Sequence, residues 1–113
     1  MKTKEVWKSI PDFSNYEISN HARVRNKNTG KILVPLYTGP NKNSLAVNLY
    51  LDKQRYLRTI SGLVATAFIP NPHNRHCVIH KDGNYENNYP DNLEWGEKKS
   101  TANKKNRKRT PKF

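Results

Sequence analysis

Turn residues cut the first half of this chain into pieces too short for an ordinary helix. Between residues 4 and 58 the apolar positions fall in Tyr16-Glu17-Ile18-Ser19, Arg23-Val24-Arg25, Ile32-Leu33-Val34, Leu45-Ala46-Val47-Asn48-Leu49-Tyr50-Leu51 and Tyr56-Leu57-Arg58. The breaks are Asn28-Thr29-Gly30, Thr38-Gly39-Pro40-Asn41 and Asp52-Lys53. That spacing predicts small antiparallel strands and hairpins. In the longest piece Leu45, Val47, Leu49 and Leu51 share one face at period two, with Ala46, Asn48 and Tyr50 on the other.

At Ile60 the pattern changes. Ile60, Leu63, Val64, Ala67 and Phe68 recur at helical spacing, with Ser61 placed to cap the first turn. Pro70 and Pro72 end that helix. Val78 to Trp95 reads as two short strands around a long loop, and Gly96 to about Arg109 as a second, lysine-rich helix ending before Pro111. The expected class is α+β. Only 34% of the 113 residues are hydrophobic, so the core is modest and aromatic residues supply much of it. Cys77 stands alone, which excludes an internal disulfide and a cysteine zinc cage and suits a reducing cytoplasm. Beside Val78 it reads as a small buried hydrophobe. His73 and His76 flank a proline-containing loop and read as exposed residues rather than metal ligands. No run approaches the roughly eighteen apolar residues of a membrane span, and the polar start does not read as a secretory signal.

Charge narrows the partners. Twenty-one Lys and Arg against nine Asp and Glu give +12, which points to a polyanion. A membrane surface needs a basic helix with an apolar face. The most basic stretch, Lys98 to Lys112, has only Ala102 as an aliphatic residue, so double-stranded DNA is the expected partner. Lys98, Lys99, Lys104, Lys105, Arg107, Lys108, Arg109 and Lys112 suit phosphates, the alternative being a solvated tail. Arg23, Arg25, Lys27, Lys31, Lys42, Asn43, Asn48 and Arg55 mix cations with amides. A β-ribbon carrying them suits the major groove, where Arg reads guanine and Asn reads adenine.

Two stretches carry a family resemblance. One is Leu63-Val64-Ala65-x-Ala67-Phe68-Ile69-Pro70-Asn71-Pro72, continued by His80-x-Asp82-Gly83-Asn84-x-x-Asn87-Asn88 and Asn92-Leu93-Glu94-Trp95. It resembles the HNH domain of phage and intron-encoded homing endonucleases. The other, Trp7-Lys8-x-Ile10-x-x-Phe13-x-x-Tyr16-x-Ile18-Ser19-Asn20 with Arg23-Val24-Arg25, resembles the NUMOD4-like β-rich module that often precedes that domain. The resemblance implies a DNA-binding module over residues 1–58, an HNH-like ββα-metal domain over 59–103 and a basic tail over 104–113. It also implies a cytoplasmic setting, in a bacterial host if the chain is phage-encoded. With the chain ending at Phe113, a short site of modest specificity is expected.

Hydrolysing a phosphodiester takes an activated water and a cation that stabilises the developing charge. By resemblance His80 is the general base, and Asn92 ties down the loop and orients that base. Asp82, Gly83 and Asn84 form the turn, while Asn87 and Asn88 satisfy loop backbone. Three positions depart from the family pattern. The residue before the base, normally a metal ligand, is Ile79. The second ligand position is Thr101, and the helix opens with Ser61 in place of His. An isoleucine cannot coordinate a cation, and a threonine hydroxyl is a weak neutral ligand for Mg²⁺. Asn103, Asp82 and Glu97 are the remaining oxygen donors, and Asn103 lies roughly 200° round the helix from Thr101. The expectation is a DNA-binding protein on an HNH scaffold with cleavage lost or weakened and no protein metal ligand. The alternatives are an active endonuclease using Mg²⁺ or Mn²⁺, and a basic adaptor for protein or RNA.

Overall fold

The computed structural model describes residues 4–39, 42 and 44–96. It contains eight strands, β1 (Trp7–Ile10), β2 (Phe13–Ser19), β3 (Val24–Asn26), β4 (Leu36–Thr38), β5 (Ser44–Leu51), β6 (Gln54–Thr59), β7 (Cys77–His80) and β8 (Leu93–Gly96). Between β6 and β7 lies the helix α1 (Ile60–Phe68), and a short 3₁₀ turn, Pro90–Asn92, precedes β8. The strands form three antiparallel sheets, β1-β2-β3, β4-β5-β6 and β7-β8. Among the described residues this is a small mixed fold with antiparallel sheets and one helix. The helix expected over Gly96 to Arg109 lies outside the described residues, apart from Gly96, which closes β8.

Tight left-handed turns set the strand pairings. Asp12 and Ala22 take positive φ at the β1–β2 and β2–β3 connections. Asp52 and Lys53 both do so between Leu51 and Gln54, the geometry of a two-residue hairpin matched to strand twist. Ser19, fully buried, accepts from the backbone N–H of His21 and Arg23 through its hydroxyl and so closes the β2–β3 turn.

One expected strand does not form. Leu33 donates to the Val24 carbonyl and Ile32 bridges Arg25, but Val34 is 85% exposed and the ladder stops there. Pro35 follows; it has no N–H to continue pairing and restricts the residue before it. The chain then crosses to β4, an edge strand the sequence pattern did not single out.

Register in β5 bears on what faces outward. Val47 pairs with Arg58 and Leu49 with Tyr56, and Val47 and Leu49 are buried. Asn48 pairs with Leu57 and Tyr50 with Arg55, and there Tyr50 and Leu57 stay exposed. Two residues depart from the two-face expectation. Leu51 is exposed because it meets the turn, and Ala46 is buried between Leu36 and Thr59 of the flanking strands.

A single core joins the three sheets and the helix, with Ile18, Val24, Leu49, Ile60, Val64 and Leu93 among its members. The Tyr16 hydroxyl accepts from the Tyr50 N–H at 3.3 Å and ties the first sheet to the second. The helix cap is Thr59, not Ser61: the last residue of β6 accepts from the Gly62 N–H through Oγ1 at 3.3 Å. Gly62 is needed there, since a β-carbon would stand 2.9 Å from that oxygen. At the other end Ile69 donates to Ala65 and Pro70 stops the helix.

Candidate active-site loop and nucleic-acid interface

The β7–β8 hairpin pairs His80 with Leu93, Ile79 with Glu94, Val78 with Trp95 and Cys77 with Gly96. Leu93 enters the core, and the Trp95 indole donates to the Ile69 carbonyl at 3.0 Å, so β8 is anchored to the end of α1. Between the strands runs a loop rich in amides, and its hub is Asp82. One carboxylate oxygen accepts from the Asn84 N–H (2.8 Å) and the Asn92 amide (2.9 Å); the other accepts from the Asn87 amide (3.0 Å). Asn92 returns the bond by accepting from the Asp82 N–H at 3.1 Å, and it also donates to the Asn87 carbonyl at 2.9 Å. Gly83 supplies the left-handed turn with φ 76°.

Asn92 therefore closes the loop from both sides. Replacing it with alanine removes three hydrogen bonds at about 1 kcal/mol each, some partly solvated, for a loss of about 2–3 kcal/mol. The expected readout for Asn92→Ala is a thermal midpoint lower by about 10–20 °C; a shift under about 3 °C would contradict this role for Asn92.

Hydrogen bonds from Asn87, the Asn84 N–H and Asn92 hold the Asp82 carboxyl below its ordinary value. A carboxyl depressed in the folded state stabilises above its unfolded pKa, and that contribution disappears as pH falls through the folded value. Acid below about pH 4 should therefore loosen the loop before the core, seen as faster intrinsic-corrected exchange of the Asn84 amide. Asp82→Asn should exchange quickly already at neutral pH. Equal protection of Asn84 in both proteins would count against the hub.

His80 ends β7 half-buried. Its hydrogen-bond partner is not Asn92 but Asn88, whose Oδ1 lies 2.7 Å from His80 Nε2 and which is only 2% exposed. Tyr85 packs edge-on against the imidazole at 5.2 Å between ring centroids and is itself 46% exposed. Neither contact was read from the sequence. In sequence Asn88 reads as a residue that satisfies loop backbone, and Tyr85 carries no signal beyond its place three residues before Asn88.

Ile79 is 38% exposed and lies across Gly96, where a β-carbon would come within 2.8 Å of Ile79 Cγ1. Among the described residues no three His, Cys, Asp or Glu side chains come together to hold a metal. Asp82 already accepts three hydrogen bonds through its two oxygens. Thr101, Glu97 and Asn103 lie outside the described residues. Within the described residues the position beside His80 carries no donor atom for a divalent cation. His73 and His76 are exposed, and Cys77 is half-buried rather than buried.

The basic residues separate into two groups. Arg23 makes a two-pronged pair with Glu5, Nε to Oε2 at 2.9 Å and Nη2 to Oε1 at 2.6 Å, and Arg25 pairs with Glu17 at 2.9 Å. Both guanidinium groups lie over the Trp7 ring, at 5.6 and 4.0 Å. The Arg23 hydrogen bond brings the Glu5 carboxyl down to about 2. Lys27 donates to Ser9 Oγ at 2.9 Å. Lys31, Lys42 and Arg55 are exposed and enter none of the ion pairs among the described residues; Asn48 is half-buried on the outer face of β5. Lys98, Lys99, Lys104, Lys105, Arg107, Lys108 and Arg109 lie outside the described residues, as do Asn43 and Lys112.

Residues of the β-sheets reach the loop. His21 stacks on Tyr89 at 5.7 Å, and the Tyr37 hydroxyl, hydrogen-bonded to Glu86, is held above its ordinary value by that carboxylate. Among the described residues no helix is long and apolar enough to cross a membrane.

Comparison with known proteins follows the same division. The family model described as the NUMOD4 motif matches residues 5–50. Two uncharacterized HNH endonucleases of Acanthamoeba polyphaga mimivirus are similar to the chain. One is 40% identical over 97 residues (86% of this chain, 28% of the relative), the other 37% identical over 98 residues (83% and 24%). The solved structure of the HNH homing endonuclease I-HmuI, described for its DNA binding and cleavage, matches with a TM-score of 0.70 at 29% identity. The match covers 81% of this chain and 52% of that one. The chain thus spans about a quarter of the length of the viral relatives and about half of the solved one.

Proposed function

The chain belongs to the HNH homing endonuclease family, and from that premise we propose that it binds double-stranded DNA with cleavage lost or strongly weakened. The observation that carries the second half is Ile79. An alkyl side chain occupies the position next to His80 where the family supplies a metal ligand, and no three-ligand group replaces it among the described residues.

DNA binding draws on charge and on the hairpin. Lys31, Lys42, Arg55 and the basic C-terminal segment supply phosphate contacts. The outer face of β5–β6 presents Asn48, Tyr50, Arg55 and Leu57 side by side, an amide, a phenol, a cation and an apolar contact suited to base edges. Arg23 and Arg25 contribute less, because Glu5 and Glu17 already neutralise them.

A second reading, an active Mg²⁺- or Mn²⁺-dependent endonuclease, draws on the intact loop around Asp82 and on the Asn88–His80 contact. Fluorescence anisotropy with a labelled duplex tests the binding half. Saturable binding at low salt is expected for unrelated sequences. No binding at low salt would overturn the proposal and leave the adaptor reading.

A further inference from the structure

We infer that Asn88 is a positioning residue that fixes the tautomer of His80, protonated on Nε2 and bare on Nδ1. Asn88 is among the largest fully buried side chains, and a buried amide oxygen without a donor is costly. Its Oδ1 sits 2.7 Å from His80 Nε2. A carbonyl oxygen has no proton to give, so that short contact is a hydrogen bond only when the imidazole carries its proton on Nε2. A neutral imidazole has one N–H, and Nδ1 is then the acceptor.

The surroundings keep the ring in place. The His80 backbone is fixed in register with Leu93, its carbonyl accepts from the Gly83 N–H at 3.0 Å, and Tyr85 flanks the ring. Turning the imidazole over breaks the bond and leaves Oδ1 unpaired inside the protein. The other tautomer keeps a bond here only if the Asn88 amide also turns over, so that its NH₂ donates to Nε2.

The choice of an amide has a chemical consequence. A carboxylate at position 88 would favour a charged imidazolium; an amide orients the ring without adding charge. In the neutral ring Nδ1 can accept a proton from water or a hydrogen bond from a base amino group. It has no proton to offer a phosphate oxygen. His80 is thus kept as a proton acceptor rather than as a phosphate contact, although Ile79 stands where a ligand would. This inference rests on the family reading of His80, but its test involves neither DNA nor cleavage.

The test is the ¹⁵N spectrum of the imidazole in DNA-free protein, in alkaline buffer where the ring is neutral. Nε2 should resonate in the protonated range and Nδ1 in the imine range. Asn88→Leu, which removes the acceptor, should give averaged shifts. The reverse assignment in wild type, with the proton on Nδ1, would mean that the amide is turned to donate and would overturn the inference. Averaged shifts in wild type, or an unchanged pattern in folded Asn88→Leu, would overturn it as well. The wild-type spectrum decides without any variant, so a variant that fails to fold does not rescue the inference. A normal spectrum in a chain that fails to bind DNA separates this inference from the proposed function.

Discussion

Ile79→Asp combined with Thr101→Asn should make the chain nick supercoiled plasmid in the presence of Mg²⁺ or Mn²⁺. A bound cation is worth several kcal/mol of charge stabilisation, and about 1.4 kcal/mol is a tenfold change in rate, so a gain of about 10³-fold is expected. The remaining parts are in position. Asp82, Asn87 and Asn92 close the loop, and Asn88 holds His80. Position 79 also tolerates the change, because Ile79 is 38% exposed and lies outside the core. Adding His80→Ala to the doubly substituted chain should return it to background. If the doubly substituted chain binds DNA yet never nicks it, the loop does not present a phosphate to His80.

Salt should weaken DNA binding steeply. Each phosphate neutralised releases counterions, and six or more contacts give a loss of at least about 10³-fold between roughly 50 and 200 mM salt. With +12 of formal charge the chain has cations to spare for that number, even with Arg23 and Arg25 paired to carboxylates. The same slope is expected on unrelated duplexes, because phosphate contacts carry no sequence information. Arg55→Ala should reduce the slope by about one unit if Arg55 contacts phosphate, and should instead alter sequence preference if it reaches a base edge. A flat salt response would mean that the net charge serves something other than DNA.

Much of this architecture was legible because it rests on local chemistry. The Asp52-Lys53 turn, the helical spacing from Ile60 to Phe68 and the glycine at Gly83 each state their own geometry. Less legible were features decided by tertiary neighbours. Thr59 caps α1 because β6 runs directly into it, which the helical pattern alone does not reveal. Val34 fails to pair because Pro35 turns the chain toward another sheet. At the site, Asp82 and Asn92 could be placed in a turn but not seen to bond each other ten residues apart. Asn88 is a similar case. One asparagine in a run of amides reads as a loop residue until folding buries it against His80.

Supercoiled plasmid incubated with the wild-type chain and Mg²⁺ or Mn²⁺, followed on a gel for both retardation and nicking, separates holding DNA from cutting it. Retarded plasmid that stays supercoiled is the predicted result. Metal-dependent conversion to the nicked form, absent in His80→Ala, would contradict it.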